Sequence, residues 1–141
     1  MPEKVNLDNI SVVLHRPRYP ENIGAAARAI CNMGMGRLVV VDPQNYDLTR
    51  IERMATHAAG SIVQDISVFD TLASALSPCQ YIVGTTARLG GQRQVVTSPL
   101  KLAEQLVPIS QRNQVALLFG PEDRGLTNDE IRFCHILVNI P

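Results

Sequence analysis

The sequence predicts an α/β domain built on a mostly parallel β-sheet with helices on both faces. Three observations carry that prediction. Apolar segments of strand length are continuous runs, such as Leu-Val-Val-Val at positions 38–41, as expected for a sheet covered on both sides. Segments with helical spacing alternate with them. Residues 115–130 then read through the whole unit in one stretch: an apolar run ends at Gly120, a polar loop carries Pro121 and Gly125, and a capping box, Thr127-x-x-Glu130, opens a helix. Loops at the carboxyl ends of strands are where open α/β sheets bind ligands. Gly120 is expected to let backbone approach a ligand and Gly125 to turn with positive φ. An ordinary strand-to-helix turn accounts equally well for the acids there, since a helix start favours them.

The elements follow in order. Residues 10–14 form a short buried strand, and 15–21, with two prolines and two arginines, a loop. Residues 22–33 place Ile23, Ala26, Ala27, Ile30 and Met33 on one helical face, and Gly34 stops that helix. A strand spans 37–41 and breaks at Asp42-Pro43. Thr49 is the expected cap of a helix to about position 56. Residues 60–69 are ambiguous, with a short strand as one reading. Asp70 is the expected cap of a helix at 71–76, ended by Pro78. A strand at 81–85 leads into 86–97, whose Gly90-Gly91 and two arginines suit a mobile functional loop. Ser98-Pro99 starts a helix to about 107, and 136–140 is the last strand.

At 141 residues, with 45% hydrophobic and 18% charged residues, the chain is globular and of a size for one domain. No segment approaches the roughly 20 apolar residues that span a bilayer, and the N-terminus lacks an apolar signal core. The expectation is a cytoplasmic protein without a membrane partner. Cys31, Cys79 and Cys134 are odd in number and far apart, and His15, His57 and His135 share no ligand spacing, so no metal is expected. Net charge is zero, yet the charge is uneven. Positions 11–37 hold Arg16, Arg18, Arg28 and Arg37 against Glu21 alone, and 84–101 hold Arg88, Arg93 and Lys101 with no acid. Such loops can meet phosphates, or be solvated surface.

The common nucleotide motifs are missing. There is no G-x-x-x-x-G-K-[ST] loop and no G-x-S-x-G elbow. Gly34-x-Gly36 ends a helix and enters a strand, the reverse of a dinucleotide fingerprint. Three strand ends remain as candidate sites, in residues 14–28, 84–88 and 120–125.

Those three stretches together resemble the SPOUT superfamily, specifically its SpoU/TrmH-type RNA 2′-O-ribose methyltransferases. Arg-Pro-Arg-Tyr-Pro-Glu-Asn-Ile-Gly-Ala-Ala-Ala-Arg-Ala, from Arg16 to Ala29, is similar to the family's first motif. Phe-Gly-Pro-Glu-Asp-Arg-Gly-Leu, from Phe119 to Leu126, is similar to the second. Val-Gly-Thr-Thr-Ala-Arg, from Val83 to Arg88, resembles the strand end of the TrmJ branch, which acts on the tRNA anticodon loop. The resemblance covers nearly the whole chain. It implies an α/β fold with a C-terminal trefoil knot, S-adenosyl-L-methionine as cofactor, RNA (tRNA first, rRNA second) as partner, and a homodimer that shares its active site. By motif match it places Thr85, Thr86, Ala87, Gly120 and Ile140 around the cofactor, Arg28 as the catalytic arginine, and Asn22 and Glu122 in support. The family's third motif, Ser-Leu-Asn, falls after Pro141. The expectation is therefore a single SPOUT-type domain over residues 1–141, truncated at its C-terminal end with its knot incomplete. Either this is a piece of the enzyme or the chain alone is a non-catalytic RNA-binding or dimerisation module.

Methyl transfer from a sulfonium to a ribose hydroxyl needs in-line alignment and loss of the hydroxyl proton, with no metal. A guanidinium stays protonated, so Arg28 reads as a phosphate anchor that orients the ribose, or as a desolvated base. Arg16, Arg18, Arg88 and Arg93 are assigned to the RNA backbone. Glu122 reads as a carboxylate taking backbone N–H bonds in its own loop, or as a proton carrier. Tyr19 can stack on a base or pack on its loop. His15 and His57 read as ordinary polar neighbours.

Overall fold

The computed structural model describes residues 4–86 and 95–140. Its strands are β1 (Ile10–His15), β2 (Arg37–Val41), β3 (Ser67–Phe69), β4 (Tyr81–Thr86), β5 (Val95–Val96), β6 (Val115–Phe119) and β7 (Ile136–Asn139). They form one sheet in the order β3-β2-β1-β6-β4-β7-β5. Every pairing in it is parallel. The helices are α1 (Pro20–Met33), α2 (Leu48–Ala55), α3 (Gly60–Gln64), α4 (Leu72–Leu76), α5 (Pro99–Ser110) and α6 (Asn128–Ile131).

Strand side chains alternate between two cores. Val12, Val40, Val83, Val115 and Val138 join Ile23, Ala27 and Ile30 of α1, Ile51 of α2, Ile62 of α3 and Leu102 and Leu106 of α5. On the opposite face Val13, Val39, Ile82, Leu118 and Leu137 meet Leu72 and Leu76 of α4, Leu126, Ile131 at the end of α6 and Cys134. Two covered faces explain why the strands read as apolar runs.

From β1 the chain departs toward β2 on one side, and from the adjacent β6 it departs toward β7 on the other. The β1/β6 boundary is thus a topological switch point, where a crevice opens between diverging loops.

The boundaries differ from the sequence reading in several places. Helix α1 starts at Pro20, because proline fits the first helical position and needs no N–H partner there. The cap of α2 is Asp47, which accepts from the Arg50 N–H, and not Thr49. The cap of α4 is Thr71, not Asp70. Residues 60–69 hold a helix and a strand, α3 and β3. Helix α5 also continues through Pro108 to Ser110, where Gln111 and Asn113 side-chain amides donate back to the carbonyls of Val107 and Ile109.

Candidate active site at the strand ends

At the end of β1, Arg16 keeps one ladder bond, its N–H to Val41 O at 2.7 Å, and then turns with φ 53°. Asp42 repeats this at the end of β2, bonding Phe69 O at 2.8 Å with φ 46°. The two side chains pair across the strand ends at 3.2 Å. Left-handed backbone at a non-glycine residue is a local strain that concentrates at functional sites.

The loop from Arg16 into α1 is held by the loop after β6. Glu122 Oε1 accepts the Arg18 N–H at 2.8 Å, while Oε2 accepts the Tyr19 N–H at 3.2 Å and Asn22 Nδ2 at 2.7 Å. Asp123 takes the Arg18 guanidinium at 2.8 Å. Burial pushes the Glu122 carboxyl up, but the Asn22 amide and the backbone N–H donors outweigh it and hold it below its ordinary value. The expectation that Glu122 serves its own loop is corrected in scope: its side chain spans the switch point, 100 and more positions back in sequence.

Gly120 also has a steric reason within its own loop. A Cβ there would lie 2.6 Å from the Leu126 nitrogen and closer still to the Gly125 carbonyl carbon. Its missing side chain lets the loop fold onto itself, and the backbone it approaches is Gly125. The latter turns with φ 68° as expected, and its N–H bonds Pro121 O at 2.8 Å.

Behind this clasp lies a pair that sequence reading missed. His15 at the end of β1 bonds Glu130 of α6 through Nδ1 and Oε2, and both side chains are largely buried. Glu130 also completes the expected capping box, accepting the Thr127 N–H at 2.8 Å. Burial pushes the Glu130 carboxyl up, and the bonds from Thr127 and His15 bring it net below its ordinary value. Thr127-x-x-Glu130 signalled the cap, but nothing local pointed to a histidine 115 positions away.

The second part of the site is a neutral ledge on β4, β6 and β7. Thr85 Oγ1 donates to Leu118 O at 3.2 Å, and Thr86 O accepts from the Ile140 N–H at 2.8 Å and Asn139 Nδ2 at 3.3 Å. Thr85, Thr86 and Gly120 are half-buried, and the Ile140 side chain is exposed. The structure thus brings four of the five expected cofactor residues to adjoining strand ends. Ala87 lies outside the described residues, as do Arg88 and Arg93. Amide edges, hydroxyls and an exposed isoleucine, with no charged side chain among the four, are the chemistry that recognises a nucleoside and an aliphatic chain, so the donor set fits S-adenosyl-L-methionine.

Arg28 stands apart. It is exposed on α1 and its side chain makes no hydrogen bond or ion pair among the described residues, six positions (roughly 9 Å of helix) beyond Asn22. Arg16 and Arg18 are each tied to a carboxylate, so much of their charge is met within the chain. Among the described residues no group of three or more His, Cys, Asp or Glu could hold a metal ion, and no helix is long and apolar enough to cross a membrane.

A parallel α/β sheet with loops paired across its switch point is the class of fold that binds ligands at that crevice. Its sequence makes the class specific: the chain belongs to the SpoU rRNA Methylase family, whose model matches residues 9–141. It is 39% identical over 133 residues to an Escherichia coli protein named uncharacterized tRNA/rRNA methyltransferase LasT, covering 94% of this chain and 58% of that one. It is 40% identical over 136 residues to the tRNA (cytidine/uridine/adenosine-2′-O-)-methyltransferase TrmJ of Pseudomonas aeruginosa, covering 96% and 52%. The solved structure of a probable methylase family protein from Haemophilus influenzae superposes with a TM-score of 0.86 at 35% identity, covering 96% and 56%. The chain spans about half the length of the curated relatives it matches.

Proposed function

We propose that this domain transfers a methyl group from S-adenosyl-L-methionine to a ribose 2′-hydroxyl of RNA, with tRNA as the substrate class. The observation that carries the reading is the Glu122 clasp. It fixes the start of the helix that bears Asn22 and Arg28 against the loop that follows Gly120, so the two most specific sequence motifs form one structural unit. The 40% identity to a tRNA 2′-O-methyltransferase supports the substrate class. rRNA is the second class, supported by the family's description and by the LasT relative's name.

When bound, S-adenosyl-L-methionine supplies an electrophilic methyl group. Thr85, Thr86, Gly120 and Ile140, with Ala87, hold it at the ends of β4, β6 and β7 in this reading. Asn22 and Glu122 fix the α1 entry. Arg28 binds the phosphate beside the target ribose and orients its hydroxyl, the role that suits a side chain that stays protonated. The exposed stripe of Ala25, Ala29 and Met33 flanks Arg28 on α1, and supports a homodimer in which Arg28 serves the partner's ledge.

The test is methyl incorporation into a tRNA transcript by the full chain and its Arg28→Ala variant. Incorporation should fall by about a hundredfold in the variant, while calorimetric affinity for S-adenosyl-L-methionine stays unchanged. Normal turnover in the variant removes Arg28 from the mechanism, and no incorporation by the parent chain overturns the activity.

A further inference from the structure

We infer that the Tyr19 ring, backed by the Arg18 guanidinium, is a stacking platform for an RNA base at the mouth of the site. The inference rests on the RNA reading above and adds a contact to it.

Tyr19 occupies the N-cap position of α1, where Ser, Thr, Asp or Asn satisfy the helix start, and its side chain makes no cap bond. Capping therefore does not account for a tyrosine here. Packing does not either, because the residue is 49% exposed while Pro17 and Pro20 around it are buried. Yet its backbone is among the best fixed in the loop. The N–H goes to Glu122 at 3.2 Å, and the carbonyl accepts the Asn22 N–H at 3.1 Å. The Arg18 guanidinium lies 5.6 Å from the ring centroid and is itself anchored by Asp123 at 2.8 Å.

A rigid backbone holding an exposed ring, with a planar cation over it, is a surface for a flat ligand. A nucleobase fits it, because every base has a π-face and the guanidinium adds a cation–π contribution. Asp123 offsets the Arg18 charge, so this platform contributes through stacking more than through counterion release. The switch-point position puts it beside the ledge-bearing strand β6, at the head of the helix that carries Arg28.

The chain contains no tryptophan, so Tyr19→Trp places a single emission reporter at the platform. A tRNA transcript titrated into that variant of the full chain should quench the emission, saturating together with RNA retention on a filter. Tyr19→Phe should bind as the parent does. Tyr19→Ala should bind roughly tenfold more weakly, by the same factor at every salt concentration, with its thermal midpoint little changed. Retention of RNA with unaltered emission and full affinity in Tyr19→Ala overturns the platform and leaves the RNA reading standing. Absence of RNA binding by the parent chain overturns both. Emission that instead follows protein dilution without RNA, with Tyr19→Ala weakening self-association, overturns the platform by assigning the ring to a protein contact.

Discussion

Two halves of the site sit on neighbouring strand ends and are built in opposite ways. The clasp between the loops after β1 and β6 is dense with charge: Glu122, Asp123, Arg18 and, behind them, Glu130 bonded to His15. The ledge on β4 and β7 is neutral and held by backbone bonds and two polar side chains. One half has its polar groups matched to each other, and the other presents half-buried, uncharged groups. The difference teaches a division of labour in which the charged half fixes geometry and the neutral half is left to recognise a ligand.

The sharpest way to break this comparison is to fill a glycine in each half. Gly120→Ala, where the clasp loop leaves β6 beside the ledge, would force a methyl against Gly125 and Leu126 backbone, which has no rotamer to escape with. We expect a loss of about 3 kcal/mol in urea unfolding. Gly84→Ala under the ledge would meet Cys134 Sγ at 2.5 Å and Leu137 Cδ2 at 2.8 Å, both side-chain atoms that can shift. A loss of about 1–2 kcal/mol is expected there. The reverse order would mean that the ledge is the more rigid half.

Next in size is Glu122→Ala, which leaves the Arg18, Tyr19 and Asn22 donors to water. Because the residue as a whole is exposed, stability should fall by only about 1 kcal/mol. Methyl transfer should fall by much more, because the α1 entry loses its fixed position. Equal losses in both measurements would make Glu122 a fold residue alone.

A smaller effect is expected from acid. Glu122 and Glu130 are held below their ordinary carboxylate values, so their contribution is fully present above about pH 4.3, the unfolded value, and is lost as pH falls through the folded values. Stability measured below about pH 4.3 should decline, and Glu130→Gln should make that decline shallower. An unchanged slope would show that His15 and Thr127 do not bias the carboxylate. The smallest effect belongs to Arg50→Ala. It removes an exposed bidentate pair with Glu21 at 2.6 and 2.8 Å, and the unfolding midpoint should stay within experimental error.

What was legible in the sequence follows the range of the interactions. Local signals were reliable: the capping box at Thr127 and Glu130, the proline at the head of α5, and the left-handed Gly125 all depend on residues within four positions. Competition between equally good local candidates misled, so Asp47 displaced Thr49 and Thr71 displaced Asp70 as caps. Contacts across the switch point were beyond a local reading. Glu122 was legible as a bonded carboxylate but not as a bridge to Arg18, and the steric reason for Gly120 depends on how its loop closes. Arg28 was singled out by motif resemblance alone, since its exposed position carries no physical signature within one chain.

The strand order also sets a timetable for the nascent chain. β1, β2 and β3 are consecutive neighbours and can pair as they emerge. β4 has no adjacent partner until β6 follows, with Tyr81 waiting for Val115, and β5 has none until β7, with Val95 waiting for Leu137. Each delay demands long loop closure before any pairing is gained, which slows folding and leaves sheet edges open meanwhile. Synthesis therefore assembles the clasp first and the ledge last. A nascent chain that had emerged from the ribosome only as far as Glu130 would be able to make the charged lock but would lack one side of its binding surface.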